Sequence, residues 1–309
     1  MVELIKLRKE FDDLVAVDDL TLTIPEGEIF GLIGPNGAGK TTTIRMACGL
    51  LAPTQGGVVV AGTDVLRDPE GAQRYIGYLS DFFSVYEDLK VWEYLDYFAH
   101  AYKMPKAEIG DRVTEVIADV GLEVKRDALI RGLSRGMKQR LGIARAIIHR
   151  PRLLLLDEPA SGLDPKARVE LRELLLSLRD QGATILISSH ILTELEDLCT
   201  SIGIMEKGRM IRSGRLKEVA AAESPAREIH LAWRGNGVDR LHGILTAQGM
   251  ISDVRLNHQD GNFRFTGSDD ELAGVLADLI GGGVRVSSFA ETGHTVEELY
   301  MKVSRHEVM

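Results

Sequence analysis

The chain has 309 residues and a mass of 34.0 kDa, room for about two domains with buried cores at roughly 150 residues each. Hydrophobic residues make up 44% and charged residues 27%, an ordinary globular balance that excludes a disordered or fibrous chain. With 37 Lys+Arg against 46 Asp+Glu the formal charge is −9, so no electrostatic footprint for nucleic acid or anionic lipid exists and no nucleic-acid partner is expected.

Cys48 and Cys199 are too few for a disulfide framework and lack metal-ligand spacing, which fits a reducing compartment. The opening MVELIKLRKEF carries charges throughout. No run of about 18 apolar residues follows anywhere, so the expectation is a chain that neither spans nor crosses a membrane unaided. The 32 glycines exceed the usual share of about 7%, and some of them should have a defined backbone role.

In chain order, residues 1–30 alternate apolar and polar (Leu4, Lys6, then Leu20, Leu22, Ile24) and turn at Pro25-Glu26-Gly27, which predicts an antiparallel β entry. Ile29 to Ile33 is a short apolar strand running into GPNGAGKTTTIRMACGL, a glycine-rich loop that opens a helix. Residues 85–150 are helical in pattern, with Leu89, Trp92, Leu95 and Phe98 predicted on one face and Val113, Val116, Ile117 and Val120 on another. LLLLDEP after Pro151 reads as a strand buried in a parallel sheet. A helix over 165–179 and a strand over 184–188 follow, an alternation that predicts an α/β core.

The text thins to AAAESPA over 219–226, a linker that places the boundary between domains of residues 1–220 and 221–309. The second domain reads β, α, β, β, α, β, a small α+β plan of ferredoxin-like type, with a last helix expected over 295–303. Its histidines, His230, His242, His258, His294 and His306, match no ligand spacing and read as surface residues.

Gly34 to Thr41 matches G-x-x-x-x-G-K-[ST] between a predicted strand and a predicted helix. Gly34, Gly37 and Gly39, with Pro35, Asn36 and Ala38 between them, let backbone N–H groups curve around phosphates. Lys40 can neutralise β/γ oxygens, and the hydroxyl of Thr41, which Thr42 follows, can ligate Mg²⁺. ATP binding is the expectation; the bland reading is a glycine-rich turn with an exposed lysine.

Asp157-Glu158 closes the LLLL strand at the carboxyl edge of the sheet, where α/β proteins bind ligands. Asp157 is a candidate Mg²⁺ holder and Glu158 a candidate general base toward water attacking the γ-phosphate. The competing reading of the pair is a cap for the turn before Pro159.

LSRGMKQRLGIARAI from Leu133 resembles the signature stretch of the ABC ATPases, LSGGQ mapping onto Leu133, Ser134, Arg135, Gly136 and Met137. Locally, Ser134 is an N-cap candidate and Gly136 permits close backbone approach, giving a second anion site at a helix start. An amphipathic helix with Met137, Leu141, Ala144 and Ile148 inward is the alternative. Ser161-Gly162-Leu163-Asp164 resembles the family's D-loop, while Asp164-Pro165 is equally an N-cap and N1 pair. His190 resembles the switch histidine, and Phe11 the aromatic that stacks on adenine. After IGYL, Ser80-Asp81 stands where the family carries Gln; an ionised Asp81 only accepts hydrogen bonds, and it replaces the glutamine as candidate metal ligand.

The resemblance spans about residues 1–220. It implies a P-loop α/β fold with a parallel-sheet core, an antiparallel β subdomain and an inserted helical subdomain over about 84–150. It also implies an ATP- and Mg²⁺-dependent ATPase with Lys40, Glu158 and His190 in catalysis. ATP would contact Phe11, the Gly34–Thr42 loop and, on the partner subunit, Ser134, Gly136 and Asp164. The implied assembly is a homodimer or heterodimer of ATPases gripping a separate permease at the inner, cytoplasmic face of the cell membrane. Coupling is expected over 76–92, and the branch resembled is the export branch of drug, polysaccharide and lipid transporters. A soluble, non-transport ABC ATPase and an importer ATPase with a regulatory tail are the alternatives.

Overall fold

The structure, a computed structural model, describes residues 1–191, 195, 198–216, 218, 219, 227–235 and 238–292. Contacts divide the chain into two compact units, Met1–Leu216 and Lys217–Met309. The helix expected over 295–303 lies outside the described residues, as does nearly all of the expected linker.

The first unit begins with strands β1 (Val2–Phe11) and β2 (Leu14–Ile24), paired antiparallel, which with β4 (Gln55–Val60) and β5 (Thr63–Asp64) form a sheet in the order β2-β1-β4-β5. The second sheet is built from β3 (Ile29–Ile33), β6 (Ile76–Leu79), β7 (Leu153–Asp157), β8 (Thr184–Ser189), β9 (Ser201–Glu206) and β10 (Arg209–Arg215). Its order is β10-β9-β3-β8-β7-β6, parallel except for the edge hairpin β9-β10. β3, β7 and β8 are buried at every position, which is why they carry continuous apolar stretches, Leu153–Leu156 in β7 and Ile185–Ile187 in β8, rather than alternating patterns.

Helix α1 (Lys40–Ala47) lies between the two sheets, and its Ile44, Met46 and Ala47 join Leu4, Leu20, Val58, Leu32, Leu155 and Leu186 in one core. The short α2 (Pro69–Gln73), with Asp68 as N-cap, precedes β6.

Between β6 and β7 stand α3 (Val91–Ala101), α4 (Lys106–Asp119) and α5 (Arg135–Ile147). The predicted α4 face is buried as expected, but α3 buries Val91, Tyr94, Leu95 and Ala99 rather than a Leu89–Trp92 stripe. Leu89 precedes the helix because residues 89–92 pair backbone to backbone with 126–130, an extended contact that helical periodicity cannot reveal. Arg112 of α4 is a buried cation that caps the end of α5, its guanidinium donating to the Ile147 and Ile148 carbonyls at 2.6 and 2.9 Å. After β7 comes α6 (Pro165–Asp180), which packs Leu171, Leu174, Leu175 and Leu178 inward.

The second unit contains β11 (Arg227–Arg234), α7 (Val238–Thr246), β12 (Ile251–Leu256), β13 (Asp260–Phe265), α8 (Asp269–Gly281) and β14 (Arg285–Thr292). The sheet order β12-β13-β11-β14, antiparallel throughout, is the ferredoxin-like arrangement. Trp233, Phe263 and Phe265 form its core with Leu241, Leu245 and Leu279. Asn257 and His258 lie in the connection between β12 and β13.

His149, between α5 and β7, stacks on Tyr102 at 3.8 Å and bonds through Nε2 to the Ile76 carbonyl, and burial pushes its ring from the ordinary 6.5 down to about 4. The unfolded chain therefore takes up a proton below pH 6.5 that the native protein refuses until about pH 4. Stability is full above pH 6.5 and lost progressively toward pH 4. Urea unfolding of the wild type and of His149→Phe should separate by about 2–3 kcal/mol in their acid-dependent loss over this window; parallel pH profiles would contradict it.

Candidate functional site

Parallel pairing fixes where the strands stop: Ile33 lies opposite Ser189 and Asp157 opposite Ser188, so β3, β7 and β8 end level at one sheet edge. The loop Gly34–Gly39 leaves β3 there and feeds α1, whose N-cap Gly39 sits at φ 100, a left-handed conformation in which no side chain caps the helix. Gly37 is left-handed too, at φ 83. A Cβ on Gly39 would meet the Ala16 carbonyl at 2.5 Å, so the loop can pass under β2 only as glycine. The N–H groups of the first turn of α1 are thereby left to an anion.

Lys40, the first residue of α1, is 6% exposed. Its ammonium donates to the carbonyls of Gly34 and Pro35 at 2.7 and 3.2 Å and stands 3.4 Å from a Glu158 carboxylate oxygen. Asp157, 1% exposed, accepts through Oδ1 from the Thr41 hydroxyl at 3.2 Å and the Ser188 hydroxyl at 2.7 Å. Glu158 adopts φ 50, and its N–H donates to the Ser188 hydroxyl and carbonyl at 3.0 and 3.2 Å. This strained backbone turns the carboxylate back over the sheet edge, where Oε2 meets His190 Nδ1 at 2.7 Å and the His190 N–H at 3.3 Å.

Phe11, at the end of β1, is 43% exposed with the Lys9 ammonium 4.9 Å from its ring centre. It lines one cleft with Ala16, the Asn36–Thr42 segment, Asp81, Glu158 and Lys207. Burial, then the negative charges of Asp157 and Glu158, raise the Asp81 carboxyl above its usual range, while Arg135 and His190 oppose the shift. A hydroxyl and carboxylates are hard oxygen donors suited to Mg²⁺, which takes one or two carboxylates and completes its shell with phosphate and water. Among the described residues no group of three or more His, Cys, Asp or Glu forms a protein-only metal site. Both thiols are buried, and burial pushes Cys48 up to about 11, so neither serves as a nucleophile.

Ser134, Gly136 and Asp164 do not line this cleft. They form a second cluster where α5 and α6 begin side by side. Ser134 caps α5 by accepting from Met137 N–H at 3.3 Å, and Asp164 caps α6 by accepting from Ala167 N–H at 2.9 Å. Gly136 lies so close to α6 that a Cβ there would come within 2.9 Å of the Ala167 methyl. Two exposed helix N-termini thus point the same type of anion-attracting group outward.

Sequence reasoning missed Ser188, Lys207 and the contacts of Arg135. Ser188 had a signal, a hydroxyl pair interrupting the apolar TILISSH. Lys207 had none, since it sits in the β9-β10 hairpin far along the chain, which the Gly208 N–H bond to the Ala38 carbonyl at 3.1 Å ties to the phosphate loop.

The geometry has relatives. Residues 17–161 match the family model described as ABC transporter. The chain is 35% identical over 309 residues to the Nod factor export ATP-binding protein I of Cupriavidus metallidurans, covering all of this chain and 98% of that protein. It is 34% identical over 297 residues to the bacitracin transport ATP-binding protein BcrA of Bacillus licheniformis, covering 90% and 96% respectively. A solved ATP-binding subunit of an ABC transporter superposes with a TM-score of 0.65 at 33% identity, covering 72% of this chain and 92% of that one. A phosphate loop, a paired acidic strand end and a signature helix set on this fold, with a relative 35% identical along the whole chain, place the chain in the family of ABC transporter ATP-binding proteins, whose chemistry is ATP hydrolysis.

Proposed function

We propose that the chain is the ATPase subunit of an exporter, in which two such subunits close around two Mg²⁺-ATP and drive a permease carried on a separate chain. The observation that carries the reading is the Glu158 carboxylate held between Lys40 at 3.4 Å and His190 at 2.7 Å, beside an Asp157 within hydrogen-bond reach of Thr41. In this reading Glu158 takes the proton of the attacking water, His190 holds the carboxylate toward it, and Lys40 exchanges its loop carbonyls for β/γ oxygens. Thr41 and Asp157, with Asp81 at the edge, would hold Mg²⁺, which when bound neutralises charge developing on the phosphoryl oxygens. Phe11 stacks on adenine, the Gly34–Thr42 segment cradles the phosphates, and Ser134, Gly136 and Asp164 address the partner subunit's ATP.

Residues 1–220 are the ATPase domain in this reading, with the helical part over 84–150 meeting the permease at the cytoplasmic face of the membrane, and 221–309 are an accessory domain. Export is favoured because relatives that align over nearly the full chain are named for Nod factor export and bacitracin transport. Among the described residues no helix is long and apolar enough to cross a membrane.

Glu158→Gln should keep ATP binding, lose at least about a hundredfold in turnover and accumulate an ATP-bound dimer on gel filtration; wild-type turnover would refute the base assignment. If Asp81 reaches the metal, Asp81→Asn should shift the Mg²⁺ concentration needed for half-maximal turnover, while an unchanged titration would remove it from the metal shell.

A further inference from the structure

Arg135 stands at the third position of LSRGM, where the resembled LSGGQ pattern has a glycine, and it is the first residue of α5. A cation there faces the positive end of the helix dipole, so local helix physics disfavours it. What offsets this lies across the gap to the 158–164 turn. The guanidinium donates through Nη2 to the Ser161 carbonyl at 2.8 Å. Its plane also covers Gly162, where a Cβ would lie 2.4 Å from the guanidinium carbon. Gly162 is left-handed at φ 65, a conformation that suits glycine and leaves room for the arginine at once.

The turn is tightly wired to the base. Ser161 N–H bonds to the Glu158 carbonyl at 3.1 Å, Leu163 N–H to the Ala160 carbonyl at 3.2 Å, and Asp164 then caps α6. Glu158 is fixed at its other side by Ser188, so a shift at Ser161 has a single turn to cross before it reaches the catalytic carboxylate.

We propose that Arg135 is a positioning residue for hydrolysis: its guanidinium ties the start of α5 to the turn that begins at Glu158. The inference rests on the proposed function, in which α5 addresses the partner's ATP and Glu158 the chain's own. The tie therefore makes the two nucleotide-facing surfaces of one chain move together, and cutting it should slow the chemical step and weaken cooperativity while leaving nucleotide affinity nearly unchanged.

The test is steady-state ATPase kinetics on the full chain for Arg135→Ala, Arg135→Lys, Gly162→Ala and the Arg135→Ala/Gly162→Ala double variant, with Glu158→Gln in parallel. Arg135→Ala should lower kcat about tenfold with KM within about twofold, and bring the Hill coefficient toward one. Arg135→Lys should recover part of kcat, since an ammonium can still donate to the Ser161 carbonyl. Gly162→Ala should lower kcat by displacing the guanidinium, and should cost distinctly less once Arg135 is gone, the left-handed strain of the alanine being common to both backgrounds. An unchanged kcat in Arg135→Ala, a change in KM alone, or fully additive effects would each overturn the proposal. If Glu158→Gln abolishes turnover while Arg135→Ala leaves kcat unchanged, only the tie fails; if Glu158→Gln turns over normally, the underlying functional reading fails.

Discussion

One hydrogen-bonded junction organises the site: the Asp157 carboxylate oxygen that receives both the Ser188 and the Thr41 hydroxyls. It joins the ends of β7 and β8 to the first turn of α1, and it works only because parallel register brings those ends level. The buried apolar strands that make the sheet rigid are thus also the reason that a lysine, a glutamate and a histidine, drawn from distant parts of the sequence, meet within hydrogen-bond or ion-pair range. Burying these charges is costly unless they are paired, and here each has a partner. Lys40 faces Glu158, Glu158 faces His190, and Asp157 is satisfied by hydroxyls.

Asp81 and Glu158 line one cleft with Lys40 and Lys207, and burial, with the charges of Glu158 and the adjoining buried Asp157, raises the Asp81 carboxyl. Such a cleft favours a cation that also brings phosphate, which is what a Mg²⁺-nucleotide offers. The left-handed backbone at Glu158 is the strain accepted to aim its carboxylate, and it is sustained by the Ser188 contacts on one side and by the turn to α6 on the other.

The phosphate loop, the acidic strand end and the signature helix were legible because each is a contiguous motif whose spacing carries its chemistry. The α/β core and the two-sheet architecture were legible too, because fully buried strands and half-buried ones differ in apolar pattern. What the sequence did not show depends on contacts between distant segments. The extended pairing of 89–92 with 126–130 displaced Leu89 from its expected helical face. Ser188 breaks an apolar strand with a hydroxyl, but its partner Asp157 is set by strand register, and Lys207 was invisible because a hairpin nearly a whole domain downstream of the loop delivers it.

In the proposed dimer each ATP is handled by groups from two chains, the cleft at the sheet edge from one and the starts of α5 and α6 from the other. Mixing two inactive variants tests it most directly: Lys40→Ala, defective in the cleft, and Ser134→Arg, defective at the start of α5. In a mixed dimer one site collects both defects and the other is intact, so ATP hydrolysis absent from either variant alone should appear on mixing. A mixture as inactive as its parents, or a Ser134→Arg protein that hydrolyses ATP at the wild-type rate by itself, would contradict the account.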